Sequence, residues 1–348
     1  EENKMKKRLA LLLAGVLAVS SLTACGGAGG NNDAAAKVKL GLGAKVSFSE
    51  SYSVGEDHYG APAEATNAQT DIHVAAVTLD AEGKILSCQI DAIQVKATVD
   101  ATGAITSEET SFVSKAEKKE DYGMKGASPI GKEWYEQVDA YELWCVGKTV
   151  DEVKAGVGAD EYPADDALKT GCTIKIGDIT AAVVDACGKA VDTDATSADT
   201  LGISIIGVVN KPANAADNDG NGSFQAYVNF ATVAQNAEGK ISAVLIDSIQ
   251  ANLTWGADGV LTTDAAQDVR TKYTKQGDYG MAGASSLENG EWFQQIDAFK
   301  LTILGMTADE VAAIAVDGDG YPTDETLRTG CTMKVADYKT VVVKALGK

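Results

Sequence analysis

Histidine is almost missing from this chain of 348 residues. Only His58 and His73 are present, and neither has a counterpart at the equivalent place in the duplication described below. This excludes a repeated histidine-based metal site and a repeated Ser-His triad. Basic residues are also few, since 30 lysines and arginines stand against 50 aspartates and glutamates, for a formal net charge of −20. Such acidity disfavours nucleic acid and anionic lipid headgroups as partners.

Cysteine does not form the pattern of a disulfide framework. The chain has six cysteines, and without Cys25, which lies in a leader-like segment, an odd number is left. Three cysteines of the first copy align with apolar residues of the second and are predicted to be buried fillers. These pairs are Cys88 with Val244, Cys145 with Ile303, and Cys187 with Leu346. Only Cys172 and Cys331 occupy equivalent places.

No metal site is predicted. Residues 217–222 (DNDGNG) match the first half of an EF-hand loop, but Val228 stands where a bidentate glutamate is needed. A turn is therefore the favoured interpretation of this segment.

The sequence is internally duplicated, with an offset of 157 to 159 residues. Three pairs of segments carry the repeat: 165–186 (DDALKTGCTIKIGDITAAVVDA) with 324–345 (DETLRTGCTMKVADYKTVVVKA), 121–128 (DYGMKGAS) with 278–285 (DYGMAGAS), and 133–137 (EWYEQ) with 291–295 (EWFQQ). A period this long predicts tandem domains and not a solenoid of short repeats.

The first residues have the features of an export signal. Lys6, Lys7 and Arg8 precede an apolar stretch at 9–22 that is short for a membrane span. The segment ends in Leu-Thr-Ala-Cys, which resembles a bacterial lipobox and implies lipidation of Cys25. We therefore expect a lipoprotein signal peptide at 1–24 and a flexible, Gly-rich tether at 25–36.

Alternating and β-branched residues predict an antiparallel meander in each copy. The first copy has candidate strands at 75–79, at 85–93 and near Ile105, with turns at Glu82-Gly83 and Thr102-Gly103. The second copy has candidate strands at 230–233, 241–249 and 260–262.

Helices are predicted after the strands. Residues 133–143 carry Trp134, Val138 and Tyr141 at helical spacing. Thr149 with Glu152, and Thr307 with Glu310, fit capping boxes.

The last helix of each copy should begin near an N-cap aspartate and end near a glycine. The aspartates are Asp178 and Asp337, and the glycines are Gly188 and Gly347. The fold class is therefore α+β: two tandem repeats, each a twisted antiparallel sheet packed with helices. We assign domain 1 to 37–190, a linker to 191–200 and domain 2 to 201–348.

The repeated Thr-Gly-Cys-Thr tetrad holds the candidate functional residues. No repeated base stands near it in sequence, so its hydroxyls are more suited to be passive acceptors than nucleophiles. Gly171 and Gly330 allow a close approach to the backbone. Thr173 and Thr332 lie just before a predicted helix start, where a phosphate would be favourably placed.

The tetrad resembles the Ser/Thr-Gly-Ala-Thr motif of the FMN-binding domain family, found in subunits of sodium-translocating quinone reductases and Rnf-type complexes. In that family a flavin transferase attaches FMN to the last threonine by a phosphoester bond. The resemblance implies acceptors at Thr173 and Thr332, with the rest of each tetrad at the site: Thr170, Gly171 and Cys172, and Thr329, Gly330 and Cys331. Cys172 and Cys331 replace the family alanine.

The repeated DYGM segments are expected to line the flavin ring. Aromatic and methionine side chains present flat or adaptable apolar surface, which favours Tyr122, Met124, Tyr279 and Met281 for this role. An ordered surface loop is the alternative. Ser128 and Ser285 in the same segments are rival acceptors, whereas Trp134 and Trp292 are interpreted as core residues.

The lipobox, the doubled domain and the EWYEQ segment look closer still to the flavinylated lipoproteins of Gram-positive extracellular electron transfer. That resemblance implies a membrane-anchored carrier at the extracellular face with two covalent FMN groups and no enzymatic activity of its own. It would take electrons from a membrane quinone-linked donor and pass them to extracellular acceptors. The alternatives are a non-redox solute-binding or surface interaction lipoprotein, and reversible FMN binding.

Overall fold

Six long strands of 11 to 16 residues form the framework of this chain. A computed structural model describes residues 35–48, 51–58, 61–62, 64–288 and 290–347, and Ala35–Lys348 form one compact unit. The predicted signal peptide, Cys25 and the tether up to residue 34 lie outside the described residues. No helix in the described part combines the length and the apolar character that a membrane span requires.

The described strands are β1 (Lys37–Ser47), β2 (Asp57–His58), β3 (Ala61–Pro62), β4 (Thr66–Leu79), β5 (Ile85–Val99), β6 (Ser111–Phe112), β7 (Val191–Thr196), β8 (Thr200–Ala213), β9 (Asn221–Gln235) and β10 (Ile241–Gly256). The α-helices are α1 (Lys115–Lys118), α2 (Trp134–Cys145), α3 (Val150–Ala155), α4 (Asp166–Lys169), α5 (Gly177–Gly188), α6 (Lys272–Lys275), α7 (Trp292–Ile303), α8 (Ala308–Ala312), α9 (Glu325–Arg328) and α10 (Ala336–Ala345). Short 3-10 turns cover Lys119–Tyr122, Ala215–Asp217, Gln276–Tyr279 and Ala282–Ala284.

These elements form two separate four-stranded antiparallel sheets. The strand order is β5-β4-β1-β7 in the first sheet and β10-β9-β8-β6 in the second, and β2 pairs only with β3. The predicted fold class, α+β with two sheets packed with helices, is confirmed.

Each large sheet is buried on both faces. Successive side chains of a strand point to opposite faces, and the two sets enter different cores. In β5, Ile90 and Ala92 pack with the helices of the first repeat, whereas Ile93 and Val95 enter a core shared with the second sheet. Residues of β9 and β10 divide in the same way. The repeats therefore form a sandwich with the two sheets face to face and a helix layer on each outer side.

Reciprocal hydrogen bonds join the two repeats at the ends of their hairpins. The indole Nε1 of Trp255 donates to the carbonyl of Gly103 at 3.0 Å, and the amide of Leu261 donates to Ser53 Oγ at 2.9 Å. Thr66 Oγ1 donates in turn to the carbonyl of Gly259. The two glycines have the same positive φ of 72° in their turns.

The segment at 191–200, predicted as a linker, differs from that prediction. Val191–Thr196 form β7, which pairs with β1 at the edge of the first sheet, and the chain enters β8 at Thr200. The second sheet likewise takes its edge strand, β6, from the first repeat. The polar composition that suggested a linker is explained by this edge position, where side chains are largely exposed.

Two further details of the sequence prediction are wrong. The last helices begin at Gly177 and Ala336, so Asp178 and Asp337 lie in the first turn and are not N-caps. There they face the positive end of the helix dipole. The third predicted strand of each copy is only an isolated bridge, at Ile105 and at Leu261. The third strand of each sheet is instead one that precedes the hairpin in sequence: β1 pairs with β4, and β8 pairs with β9.

Glycines in the strands let a helix lie directly on each sheet. A Cβ on Gly41 of β1 would collide with the carbonyl of Ala186 in α5, and one on Gly202 of β8 would collide with the carbonyl of Ala345 in α10. This duplicated contact sets the spacing between the sheet and the helix that follows the tetrad.

We predict that Gly202→Ala lowers the free energy of unfolding by about 1–3 kcal/mol, because the new methyl group must displace helix backbone. Urea unfolding measures the loss. Gly318→Ala is the control, since its Cβ would meet no atom within 4 Å, and it should leave stability nearly unchanged. Equal stability of the two variants would contradict the proposed close packing.

Candidate functional site

The tetrad threonines lie between two helices in each repeat. Thr173 follows α4 and precedes α5, and Thr332 follows α9 and precedes α10. Both are half-buried. The hydroxyl and backbone N–H of Thr173 donate to Gln137 Oε1 at 3.0 and 2.8 Å. Thr332 makes the same two bonds to Gln295 Oε1, at 3.3 and 2.9 Å.

Gln137 connects the tetrad to the DYGM loop. It is fully buried on α2, and its Nε2 donates to Ser128 Oγ and to the carbonyl of Lys132, both at 3.2 Å. The same nitrogen lies 3.6 Å from Met124 Sδ. The oxygen of this one side-chain amide thus binds Thr173, and the nitrogen of the same amide binds the loop.

Gln295 repeats the arrangement on α7. It is also fully buried, and its Nε2 donates to Ser285 Oγ at 3.1 Å and to the carbonyl of Gly290 at 2.8 Å. The structure therefore brings the two predicted segments of each repeat together.

A glutamate at the start of the same helix holds the loop backbone. The Glu133 carboxylate accepts from the amides of Met124 at 2.8 Å and Lys125 at 3.1 Å. Glu291 accepts from the equivalent amides, at 2.9 and 3.1 Å. Each glutamate is also the N-cap of its helix in a capping box, so loop and helix start form one unit.

The glutamine and glutamate roles were missed from the sequence. Their signal was present in the repeated EWYEQ and EWFQQ segments, which begin and end with these two residues.

The other tetrad residues have structural roles. Thr170 and Thr329 are exposed, and each hydroxyl donates a hydrogen bond of 2.7 Å to a carbonyl of the preceding helix. Gly171 lies against α2, where an added Cβ would be 2.7 Å from the methyl of Ala140. The glycine is thus needed for helix packing, a reason that the sequence did not reveal.

Cys172 and Cys331 are turned into the repeat cores. Both are fully buried, and burial raises the pKa of each thiol to about 11. They are neutral packing groups, and of each tetrad only the last threonine bonds its hydroxyl to the buried amide.

The predicted ring-lining residues lie beside the motif. Tyr122, Met124, Tyr279 and Met281 are half-buried, and each Tyr-Gly step turns at a glycine with φ near 76° (77° at Gly123 and 75° at Gly280). Ser128 and Ser285 are also half-buried, with their hydroxyl oxygens accepting from the glutamine amides. The rival acceptor of each repeat therefore contacts the opposite end of the same side chain as the threonine.

The surroundings of the threonines fit a phosphate ester. The threonine proton points to the glutamine oxygen, which leaves the hydroxyl lone pairs available to a new bond. A lysine, Lys175 or Lys334, follows each threonine by two residues, directly before the N-terminus of a ten- to twelve-residue helix. Among the residues that the structure describes, no group of three or more His, Cys, Asp or Glu could hold a metal ion.

A buried aspartate clamps the segment that leads into each DYGM loop. Asp91 Oδ1 accepts from the amides of Ala92 at 2.7 Å and Ala116 at 3.1 Å. Asp247 Oδ1 accepts from those of Ser248 at 2.8 Å and Tyr273 at 3.0 Å. Burial raises the pKa of each carboxyl to about 6, against the opposing effect of these hydrogen bonds.

The glutamine bonds predict local protection from hydrogen exchange. In Gln137→Met the amide of Thr173 loses its acceptor, so its exchange should be about tenfold faster or more, since a lost buried bond costs about 1–3 kcal/mol. The amide of Thr332 in the same sample is the control and should not change. Equal protection of Thr173 before and after the substitution would contradict the arrangement.

The aspartates predict a pH dependence of stability. Because the folded-state pKa is raised, the folded protein binds these protons more tightly than the unfolded chain. Their contribution to the free energy of unfolding is therefore present below about pH 4 and is lost as the pH rises to about 6. The double variant Asp91→Asn/Asp247→Asn should lose this fall in the free energy of unfolding between about pH 4 and pH 6, as measured by denaturant titration at each pH. An unchanged pH dependence would assign the fall to other groups.

Comparison with known proteins gives one distant similarity. No protein-family profile matches the chain, and no solved structure matches it. The chain is similar to a chlorophenol reductase of Desulfitobacterium hafniense, with 29% identity over 133 residues. The match covers 35% of this chain and 38% of the relative, so the chain spans less than two fifths of that protein's length.

Proposed function

We propose that this protein is a membrane-anchored electron carrier with one FMN covalently attached in each repeat, on Thr173 and Thr332. The observation that carries the proposal is the duplicated arrangement around the buried glutamines. In both repeats one buried glutamine bonds the hydroxyl of a half-buried threonine at its oxygen and the serine of the DYGM segment at its nitrogen. Duplicated packing alone does not require a hydroxyl at this point.

Attachment requires another enzyme. A flavin transferase would form the bond between threonine Oγ and the flavin phosphorus, and the hydroxyl proton would leave. The donor must carry a leaving group on that phosphate, as a flavin dinucleotide does. Gln137 and Gln295 would orient the oxygen during the transfer. Lys175, whose Nζ lies 3.2 Å from Glu161 Oε2, and Lys334, whose Nζ lies 5.3 Å from the ring centroid of Tyr321, would have to turn from these partners to offset the charge of the phosphate.

Bound flavin would supply the redox chemistry, and the protein would supply position and electrostatics. The partial similarity to a chlorophenol reductase supports a redox role in general. Since the match covers a minor part of that relative, its substrate is not assigned to this chain. We propose a carrier and not an enzyme, since in the part of the chain that the structure describes each threonine hydroxyl donates to a glutamine amide oxygen and not to a general base.

The leader sequence supports the proposed location. Lipidation of Cys25 would anchor the protein to the cell membrane at the extracellular face. A membrane quinone-linked donor would then reduce the flavins, and extracellular acceptors would oxidise them. The net charge of −20 fits a module that is held off an anionic surface and does not bind nucleic acid.

Intact-mass measurement tests the proposal directly. The chain from residue 26 onward, co-expressed with a flavin transferase, should gain two FMN groups, with peptide mapping placing them on Thr173 and Thr332. Thr173→Ala and Thr332→Ala should each lose one group.

Matched controls separate the competing outcomes. Thr170→Ala and Thr329→Ala should keep both groups, and so should Ser128→Ala. Loss in Ser128→Ala would make the serine the acceptor. Colour that disappears on unfolding would indicate reversible FMN binding, and a colourless protein without added mass would favour a non-redox binding lipoprotein.

A further inference from the structure

Each repeat contains a buried lysine at the base of its DYGM loop. Lys115 is the first residue of α1 and is 9% exposed, and Lys272 is the first residue of α6 and is 4% exposed. Both stand six residues before the aspartate of the DYGM segment. Lysine is almost never buried without a partner, so a duplicated buried lysine requires an explanation.

Aromatic rings surround the amine in the first repeat. Lys115 Nζ lies 5.0 Å from the ring centroid of Tyr122 and 5.7 Å from that of Trp134. Tyr122 is half-buried and belongs to the DYGM loop, whose Ser128 shares Gln137 with Thr173 of the tetrad.

The second repeat encloses its amine more tightly. Lys272 Nζ lies 4.4 Å from the ring of Tyr227, 4.8 Å from Tyr279 and 5.7 Å from Trp292, and it donates to the Tyr227 hydroxyl at 2.9 Å. Tyr279 is the counterpart of Tyr122 and is also half-buried.

The positive charge is not neutralised by a carboxylate. Within the part of the chain that the structure describes, neither lysine forms an ion pair. Ring faces stabilise an ammonium by about 1–2 kcal/mol, less than its desolvation costs. The nearby aspartates, Asp91 and Asp247, accept backbone amides instead.

The charge of Lys115 affects a neighbouring titratable group, His73. The pKa of His73 is lowered to about 3, mainly by burial and next by the charge of Lys115. A negatively charged ligand beside Tyr122 would be stabilised by the same charge, because an anion and an ammonium attract each other.

We propose that Lys115 and Lys272 are positioning residues that stabilise the reduced, anionic flavin ring of their own repeat and so raise its midpoint potential. This inference rests on the proposed function. An isoalloxazine that takes up two electrons and one proton from an external reductant carries one negative charge, and the lysine ammonium favours that state over the neutral oxidised ring. The aromatic rings hold the amine in place without a carboxylate beside it.

Single-flavin proteins test the inference by potentiometric titration with dithionite. In the Thr332→Ala background only the Thr173 site carries flavin. There Lys115→Met should lower the midpoint potential by about 30 mV or more, equal to a tenfold change for a two-electron couple. Lys115→Arg, which keeps the charge, should retain most of the original potential.

The other repeat supplies the matched control. Lys272→Met in the same Thr332→Ala background removes an equivalent buried lysine away from the flavin and should leave the potential unchanged. The pattern should reverse in the Thr173→Ala background. Lys115→Gln, which keeps the chain length and a donor, replaces Lys115→Met if the latter does not fold.

The outcomes separate this inference from the proposed function. Attached flavin with an unchanged potential in both Lys115→Met and Lys115→Gln overturns the role of the lysines and leaves the carrier proposal standing. Equal shifts with Lys115→Met and Lys272→Met would indicate a general loss of structure and also overturn it. Absence of flavin on the parent single-flavin proteins would instead contradict the carrier proposal itself.

Discussion

The candidate site of each repeat depends on one buried primary amide. Gln137 and Gln295 are enclosed in the helix layer, where an unsatisfied polar group would be costly, so every partner they bind is held firmly. The oxygen of each amide fixes the backbone and hydroxyl of a threonine, and the nitrogen fixes the loop on the other side. Two chain segments that are far apart in sequence thereby acquire a single fixed geometry, and the glutamate one helical turn earlier sets the loop backbone in the same way.

This local order is built on a shared interior. The outer faces of the two sheets carry the helices, while the inner faces pack against each other around residues such as Ile93, Phe224 and Phe230. The edge strands also cross between halves, since β6 of the first repeat pairs with β8. A single repeat would therefore leave the inner face of its sheet exposed, although each repeat has a separate core beneath its helices.

Duplication made much of the fold and site predictable. The capping boxes at Thr149 and Thr307 and the first two strands of each predicted meander are local patterns, and the structure confirms them. β7 was not recognised because an exposed edge strand carries the polar residues of a loop. The buried lysines were missed for a similar reason. Lys115 lies in a run of charged residues, a pattern typical of a solvated surface, and only the tertiary packing buries it.

The face-to-face packing of the sheets has a consequence for the proposed electron transfer. Thr173 is held by α2 and Thr332 by α7, and these helices lie on opposite outer sides of a sandwich whose sheets are about 10 Å apart. A partner docked on one helix layer reaches only one threonine. Two attached flavins would thus give the protein two independent contact surfaces pointing away from each other, an arrangement suited to bridging separate partners in a chain of carriers.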